Sequence, residues 1–302
     1  MDFKELTKDI VGSDNVFVNE KLDKHTTMRV GGPADCLVTP ESVEALIKLV
    51  KICRENKLPY YVIGNGSNLL VSDEGFNGII IKIGRKMSNI TLKNNVITAE
   101  AGALLSSIGG FALREGLTGF EFAAGIPGTI GGGVVMNAGA YGGELKDILL
   151  NVTAITPEGE IATYSVEEME LGYRESRFLD KDYIILSADI KLSSGDSKLI
   201  EARMTELSQQ RRDKQPLDLP NAGSTFKRPV GDFAGRLIEE AGLKGVGVGA
   251  ACVSEKHAGF VVNKGNATAK DVYDTIRLVI DTVEAKSGII LEPEVRMIGN
   301  FT

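Results

Sequence analysis

The sequence predicts a mixed helix-and-strand fold in two parts, and three observations predict it. The 302 residues carry 43% hydrophobic and 25% charged side chains, a balance typical of a soluble globular protein. That length suits two domains, or one large α/β domain, with ample core. Apolar residues recur at helical spacing in some stretches and gather in short β-rich runs in others. At Ser194-Gly195-Asp196 the texture changes from strand-rich to helix-led, which puts a boundary near residue 195.

The first helix is "TPESVEALIKLVKICRENK". Thr39 is its expected N-cap, Pro40 fits the first helical position, and Val43, Leu46, Ile47, Val50 and Cys53 form the buried stripe. The strand "YYVIG", the loop "GNGSNLL" and the strand "GIIIKIG" follow, a β-α-β-like opening. Then come "NNVITAEAGA" as strand and 104–115 as helix. "VTAITPEGEIATYS" reads as a hairpin turning at Pro157-Glu158-Gly159, and "DYIILSADIKLS" as a strand. Past the boundary, "KLIEARMTELSQQRRDK" is a long helix ended by Pro216, and "FAGRLIEEAG" a short one. "AACVS" and "GFVVN" are strand-like. Thr268 and Asp271 make a capping box for "AKDVYDTIRLVIDTVEAKSG", and "IILEPEVRMIG" closes the chain as a strand.

The bulk numbers exclude several classes. A net charge of −7 argues against a generic nucleic-acid-binding surface, so an anionic ligand needs a local cationic cluster. No 18-residue apolar run and no signal core appear, so neither membrane insertion nor export is expected. Cys36, Cys53 and Cys252 form no C-x-x-C pair, so they read as reduced thiols packed in a cytoplasmic protein. With three Cys and two His, a metal site is not expected.

Glycine is in excess: 35 of 302 residues, roughly 12% against the ~7% of average usage. "GNGSNLL" places Gly64 and Gly66 directly after a strand. Such a turn can aim successive N–H groups at phosphate oxygens, with Ser67 and Asn68 as further donors. Taken alone, an isolated G-x-G is better read as a structural turn. In "GIPGTIGGGVVMNAGAYG" glycines crowd again, and "TIGGGVVMNA" is expected to form a short helix whose N-terminus faces an anion. A close packing seam of small residues is the competing explanation. Two such loops about sixty residues apart favour binding, both flanking one extended diphosphate. Neither loop ends in Gly-Lys-Ser/Thr, and neither has the G-x-G-x-x-G order of a dinucleotide fold.

"NAGSTFKRP" (221–229) sets Ser224 beside small residues and a cationic tail. A nucleophilic serine needs a base, usually histidine, and only His25 and His257 exist. Ser224 is therefore either an ordinary loop serine or does chemistry of another kind.

Six motifs then occur in order: "TTMRVGGPAD" (26–35), "VIGNGSNLLV" (62–71), "GIPGTIGGGVVMNAGAYG" (125–142), "YRESRF" (173–178), "NAGSTFKRP" and "LEPEVRMIG" (291–299). Together they resemble the UDP-N-acetylenolpyruvoylglucosamine reductases, the MurB flavoenzymes of bacterial peptidoglycan synthesis, over about 20–300. The resemblance implies an α+β fold. Residues 1–195 would form a two-subdomain FAD-binding domain of the vanillyl-alcohol-oxidase type, and 196–302 an α/β substrate-binding domain. The length, with no inserted tyrosine loop, looks like the shorter, second type of the family. Arg228 stands where the longer type usually has asparagine. The cofactor residues it implies are Gly64, Asn65, Gly66, Ser67, Asn68, Gly125, Ile126, Pro127, Gly128, Gly131, Asn137 and Gly139.

The same resemblance implies that NADPH reduces FAD and that the flavin reduces UDP-N-acetylglucosamine enolpyruvate. Arg174 matches the family arginine that polarises the substrate, a role suited to a fixed guanidinium fork. Tyr173 is expected to order the substrate site. Glu294 matches the catalytic glutamate; in an apolar strand a carboxyl is expected to stay protonated, able to hydrogen-bond an enolic intermediate. Glu292 shares that strand face, and only the motif separates the two. Ser224 matches the proton donor, with Lys227 and Arg228 as electrostatic help. Arg211, Arg212 and Lys214 suit either ligand phosphates or a helix end where the dipole favours cations. Neither histidine lies in a flavin-attachment motif, so FAD is expected to be non-covalent. The competing readings are a sugar or hydroxy-acid oxidase of the same fold, which would need no enolpyruvyl site, and a nucleotide-binding module without chemistry.

Overall fold

The computed structural model describes residues 3–301. The chain forms two compact units: the first comprises residues up to Val18, Cys36–Asn65 and Gly78–Gln210, the second Asn19–Asp35, Gly66–Asn77 and the residues from Arg211 on. The division at Gln210/Arg211 falls inside the long helix Ser197–Lys214. No helix among the described residues is long and apolar enough to cross a membrane.

The first unit is built on two sheets. A four-stranded sheet, largely in this unit, has the order Val16–Lys21, Pro33–Val38, Phe76–Lys82, Tyr60–Ile63, and its last two strands run parallel. Parallel neighbours need a crossover, here supplied by 64–75, while the helix Val43–Glu55 leads into the strand Tyr60–Ile63. The second sheet is antiparallel throughout, in the order Ile161–Ser165, Leu149–Ile155, Ile184–Lys191, Val96–Glu100, Ile90–Lys93. Both sheets share one core: Leu46, Leu49 and Ile81 belong to the same cluster as Ile97, Ile108, Val152 and Ile190. Each such fully buried side chain contributes about 1.5–3 kcal/mol.

The helix Val43–Glu55 begins later than its sequence suggests. Ser42, not Thr39, is the N-cap, its hydroxyl accepting from Ala45 N at 3.1 Å. Thr39 is engaged by Asn15, donating its N–H to Asn15 O (3.0 Å) and its hydroxyl to Asn15 Oδ1 (3.1 Å). The stripe is also rotated: Leu46, Leu49, Val50 and Cys53 are buried, while Val43 and Ile47 pack at the margin. Burial lifts the Cys53 thiol to about 11, with the neighbouring Cys36 adding to it.

In the second unit, the helix Ala269–Ser287 buries Val272, Ile276, Val279 and Val283, spaced three or four residues apart. They share a core with Leu237 and Ile238 of the helix Ala234–Glu240 and with the sheet Gly247–Val248, Ala251–Val253, Val261–Asn263. The Thr268/Asp271 capping box forms as its spacing predicts. Asp73 adds a second carboxylate at this helix start, accepting from Ala269 N (2.8 Å) and Lys270 N (2.9 Å), where the helix dipole favours negative charge. Leu69–Val71 pairs in parallel with Arg296–Ile298, and Asn263 Nδ2 donates to Met28 O at 3.2 Å. These bonds tie residues 19–35 and 66–77 to the C-terminal third of the chain. The closing strand is shorter than expected, only Arg296–Ile298, because 292–294 turns aside to bond the 225–227 segment.

Candidate functional site

In the first unit the two glycine-rich loops meet. A Cβ on Gly64 would stand 2.3 Å from Thr129 Oγ1, and Asn65 Nδ2 donates to Pro127 O at 2.5 Å. Only a residue without a side chain lets the 64–65 turn close on 127–129. Gly125 and Pro127 are exposed, Ile126 and Gly128 half-buried, so this rim faces solvent.

The helix Ile130–Val135 does not present its N-terminus to a ligand, contrary to the expectation. Ile130 N donates to Ala103 O (2.8 Å), Gly131 N to Ala101 O (3.0 Å), Gly133 N to Thr129 O (2.8 Å), and Gly132 N to the Thr129 hydroxyl (3.5 Å). The amides of its first turn already have acceptors in the protein. Gly131 is explained by packing, since a Cβ there would lie 2.9 Å from Ala101 Cβ. Gly139 pairs with Glu144 in a two-residue hairpin.

Asn137 is fully buried, and its side chain leads to the arginine motif. Its Nδ2 donates to Gly172 O at 2.8 Å. Gly172 and Glu175 exchange backbone hydrogen bonds (3.0 and 3.3 Å) around a turn that holds Arg174 at φ 56°. A left-handed backbone is uncommon outside glycine, asparagine and aspartate. The Arg174 guanidinium lies 5.0 Å from the centroid of the Tyr173 ring, and Tyr173 is exposed.

In the second unit, the loop continues as Gly66 at φ 64°, its carbonyl accepting from Thr27 N (3.2 Å). Ser67 and Asn68 are half-buried. Asn68 Nδ2 donates to Glu294 O at 3.1 Å, and Arg296 N donates to Asn68 O at 2.9 Å. A residue expected at the cofactor thus touches the backbone of the expected catalytic glutamate.

The segments carrying Ser224 and Glu294 are joined through Thr225. Glu294 N donates to Thr225 O (2.8 Å), Thr225 N to Gly259 O (2.8 Å), and Val261 N to Thr225 Oγ1 (2.9 Å). Lys227 N donates to Glu292 O at 2.9 Å, continuing the pairing. Thr225 is buried while Ser224 is exposed. Upstream, Asn221 Oδ1 accepts from Gly223 N (2.9 Å) and its Nδ2 donates to Leu219 O (2.8 Å). The serine therefore stands outward on an ordered backbone.

Its cationic tail is partly matched. Lys227 Nζ pairs with Glu292 Oε2 at 3.2 Å, and the Arg228 guanidinium stacks 4.7 Å from the Phe233 ring centroid. Of the two carboxylates of "LEPEVR", Glu292 is exposed and pairs with Lys227, and Glu294 is half-buried. His257 Nδ1 accepts from Gly259 N at 3.0 Å, a bond that requires the unprotonated nitrogen. Burial holds its pKa below the usual histidine range, and the ring packs edge-on against Phe260.

A cavity of about 430 Å³ in this unit is lined by Arg212, Lys256, Lys264, Ser254, Cys252 and Leu219, among others. It lies at the C-terminal end of Ser197–Lys214, with Lys256 Nζ donating to Arg212 O. Sequence reasoning missed Thr129, Thr225, Lys256 and Lys264. Thr129, ahead of an apolar glycine run, is a legible N-cap; Thr225, Lys256 and Lys264 carry no local signal.

Residues 34–165 match the family model described as FAD binding domain, and residues 215–298 match UDP-N-acetylenolpyruvoylglucosamine reductase, C-terminal domain. A UDP-N-acetylenolpyruvoylglucosamine reductase of Clostridium tetani is 51% identical over 96% of this chain and 94% of its own. One of Clostridium botulinum is 48% identical over 98% and 97%. The crystal structure of the enzyme from Thermus caldophilus superposes with a TM-score of 0.80 at 38% identity, covering 94% of this chain and 98% of that one. A glucose dehydrogenase, Phl p 4.0202, shares the fold alone, at TM-score 0.52, 12% identity and 65% and 45% coverage. Similarity of this degree along nearly the whole of both chains makes this chain a member of the UDP-N-acetylenolpyruvoylglucosamine reductase (MurB) family, flavin-dependent oxidoreductases with an FAD-binding domain.

Proposed function

We propose that the chain reduces UDP-N-acetylglucosamine enolpyruvate to UDP-N-acetylmuramate in the cytoplasm, consuming NADPH, as a step of peptidoglycan precursor synthesis. The observation that carries the reading is the hydrogen-bonded pairing of the Ser224 and Glu294 segments through Thr225. Two loops far apart in sequence are held in register, each bearing a group the reaction needs.

FAD is held without a covalent bond by residues 64–68 and 125–128, with Gly131, Asn137 and Gly139 shaping the second loop. In support, the two loops close on each other so tightly at Gly64 and Thr129 that a Cβ on Gly64 would clash with the Thr129 hydroxyl. Bound there, FAD would supply the hydride chemistry that links NADPH to the enolpyruvyl double bond. The chain's own residues do the rest. Arg174, with Tyr173 ordering the site, binds the substrate carboxylate and stabilises the charge that develops as the double bond is reduced. Glu294 hydrogen-bonds the enolic intermediate. Ser224 gives its hydroxyl proton to the carbon that bears the ether oxygen and is reprotonated from solvent, so one hydride and one proton are added in total. The cavity at Arg212, Lys256 and Lys264, whose lining also carries Asp218 and Glu255, receives the diphosphate through its three basic side chains. Its volume falls in the ~300–1,000 Å³ span of small-molecule sites.

The purified protein is expected to be yellow, to release all its flavin on acid denaturation, and to oxidise NADPH rapidly only with the enolpyruvyl substrate present. Oxidation independent of that substrate would sink the assignment and favour an oxidase of the same fold.

A further inference from the structure

Asn137 is a costly residue to bury, and its side chain accounts for its place. Its backbone sits at φ 41°, in the left-handed region, and the residue is 0% exposed. A carboxamide has two N–H donors and an accepting oxygen. Here Nδ2 donates to Gly172 O (2.8 Å) and to Glu144 Oε2 (3.0 Å), while Oδ1 accepts from Lys146 N (3.0 Å). The donors are spent inside the protein, so the side chain's work is on the chain itself.

Gly172 opens the turn that carries Arg174, and the far side of that turn is tethered to the same segment. Ser176 Oγ donates to Val135 O at 2.7 Å. Residues 135 and 137, two positions apart at the exit of the glycine-rich loop, thus grip the arginine turn at 172 and at 176. Glu144 braces the amide from behind and is itself paired with Lys146 at 2.9 Å.

We infer that Asn137, braced by Glu144, is a positioning residue for Arg174: it ties the turn that bears the guanidinium to the loop 125–139. The inference rests on the role given to Arg174 above. A guanidinium that acts on developing charge must be held to within about 0.5 Å, and a 1 Å misplacement can cost about 10²-fold. A left-handed asparagine with three side-chain hydrogen bonds supplies that restraint without touching substrate.

The test uses the full-length, FAD-loaded enzyme and separates the two half-reactions. Asn137→Gly removes the side chain at a φ that glycine adopts freely, and Ser176→Ala removes the second tether at a half-buried, tolerant position. Ser176→Ala is expected to keep FAD content and NADPH-driven flavin reduction within about twofold of wild type, and Asn137→Gly is measured on its FAD-loaded fraction, each half-reaction against its own wild-type rate. Anaerobic reoxidation by substrate should slow roughly 10- to 100-fold for Asn137→Gly and several-fold for Ser176→Ala. Glu144→Gln, which keeps an accepting oxygen, should retain most of the rate. The double variant Asn137→Gly/Arg174→Ala should be no slower than Arg174→Ala alone. Wild-type reoxidation in Asn137→Gly and Ser176→Ala, or additive losses in the double variant, would overturn the inference while leaving Arg174 in its role. Wild-type reoxidation in Arg174→Ala would instead remove the role of Arg174 and the inference with it.

Discussion

Ser224→Ala should leave flavin reduction by NADPH at its wild-type rate and slow flavin reoxidation by the enolpyruvyl substrate about 10²–10⁴-fold, the usual worth of general acid catalysis. The split follows from where the hydroxyl stands. Ser224 is exposed, while the residues on either side fix it: Ala222 is buried, Gly223 takes φ 78°, and Thr225 is bonded to Gly259, Val261 and Glu294. Alanine keeps all of those bonds, because none of them uses the serine side chain. The loss is therefore chemical rather than structural, and stopped-flow absorbance of the flavin reads both halves separately. A failure of the NADPH step instead would show that Ser224 serves the cofactor and not the proton.

Gly64→Ala is expected to cost the enzyme its flavin. The backbone of Gly64 is not in the left-handed region, so alanine meets no conformational penalty; the conflict is with Thr129 Oγ1, 2.3 Å from the new Cβ. Thr129 caps the helix Ile130–Val135 and cannot withdraw without releasing that cap. Overpacking of this kind costs about 1–3 kcal/mol, or roughly 5- to 150-fold in FAD affinity if the strain falls on the loop pair. Titration of the apoprotein with FAD, alongside a thermal melt, measures it. Unchanged affinity would show that the closure of 64–65 on 127–129 does not shape the cofactor site. Gly132→Ala is a control, because a Cβ there meets nothing nearer than 3.8 Å.

What could be read from the sequence follows from how local the determinants were. The capping box at Thr268 and Asp271, the hairpin at 157–159 and the helix after residue 104 depend on neighbours a few positions away, and all of them formed. Where a distant residue competes, local reading fails. Asn15 takes Thr39 out of the helix cap, and Thr225 draws 292–294 away from a regular strand. The pairing of the two glycine loops was legible because composition marks both. That the helix amides behind the second loop are consumed by Ala101 and Ala103 was not, since nothing in "TIGGG" names those acceptors. Glu292 and Glu294 are equivalent by spacing alone, and the Lys227 that pairs with Glu292 comes from a segment 65 residues earlier. The excursions of 19–35 and 66–77 into the second unit depend on Asp73 and Asn263, again long-range bonds.

The central claim is that a hydride and a proton are added to adjacent carbons of an enolpyruvyl ether, the proton coming from a solvent-exchangeable hydroxyl. Pre-reduced enzyme mixed anaerobically with UDP-N-acetylglucosamine enolpyruvate in D₂O tests it in one turnover. The expected product is UDP-N-acetylmuramate with deuterium at the methine carbon beside the ether oxygen, formed at a rate that Ser224→Ala depresses. A methine free of solvent deuterium, or flavin reoxidised with the enolpyruvyl group unchanged, would contradict it.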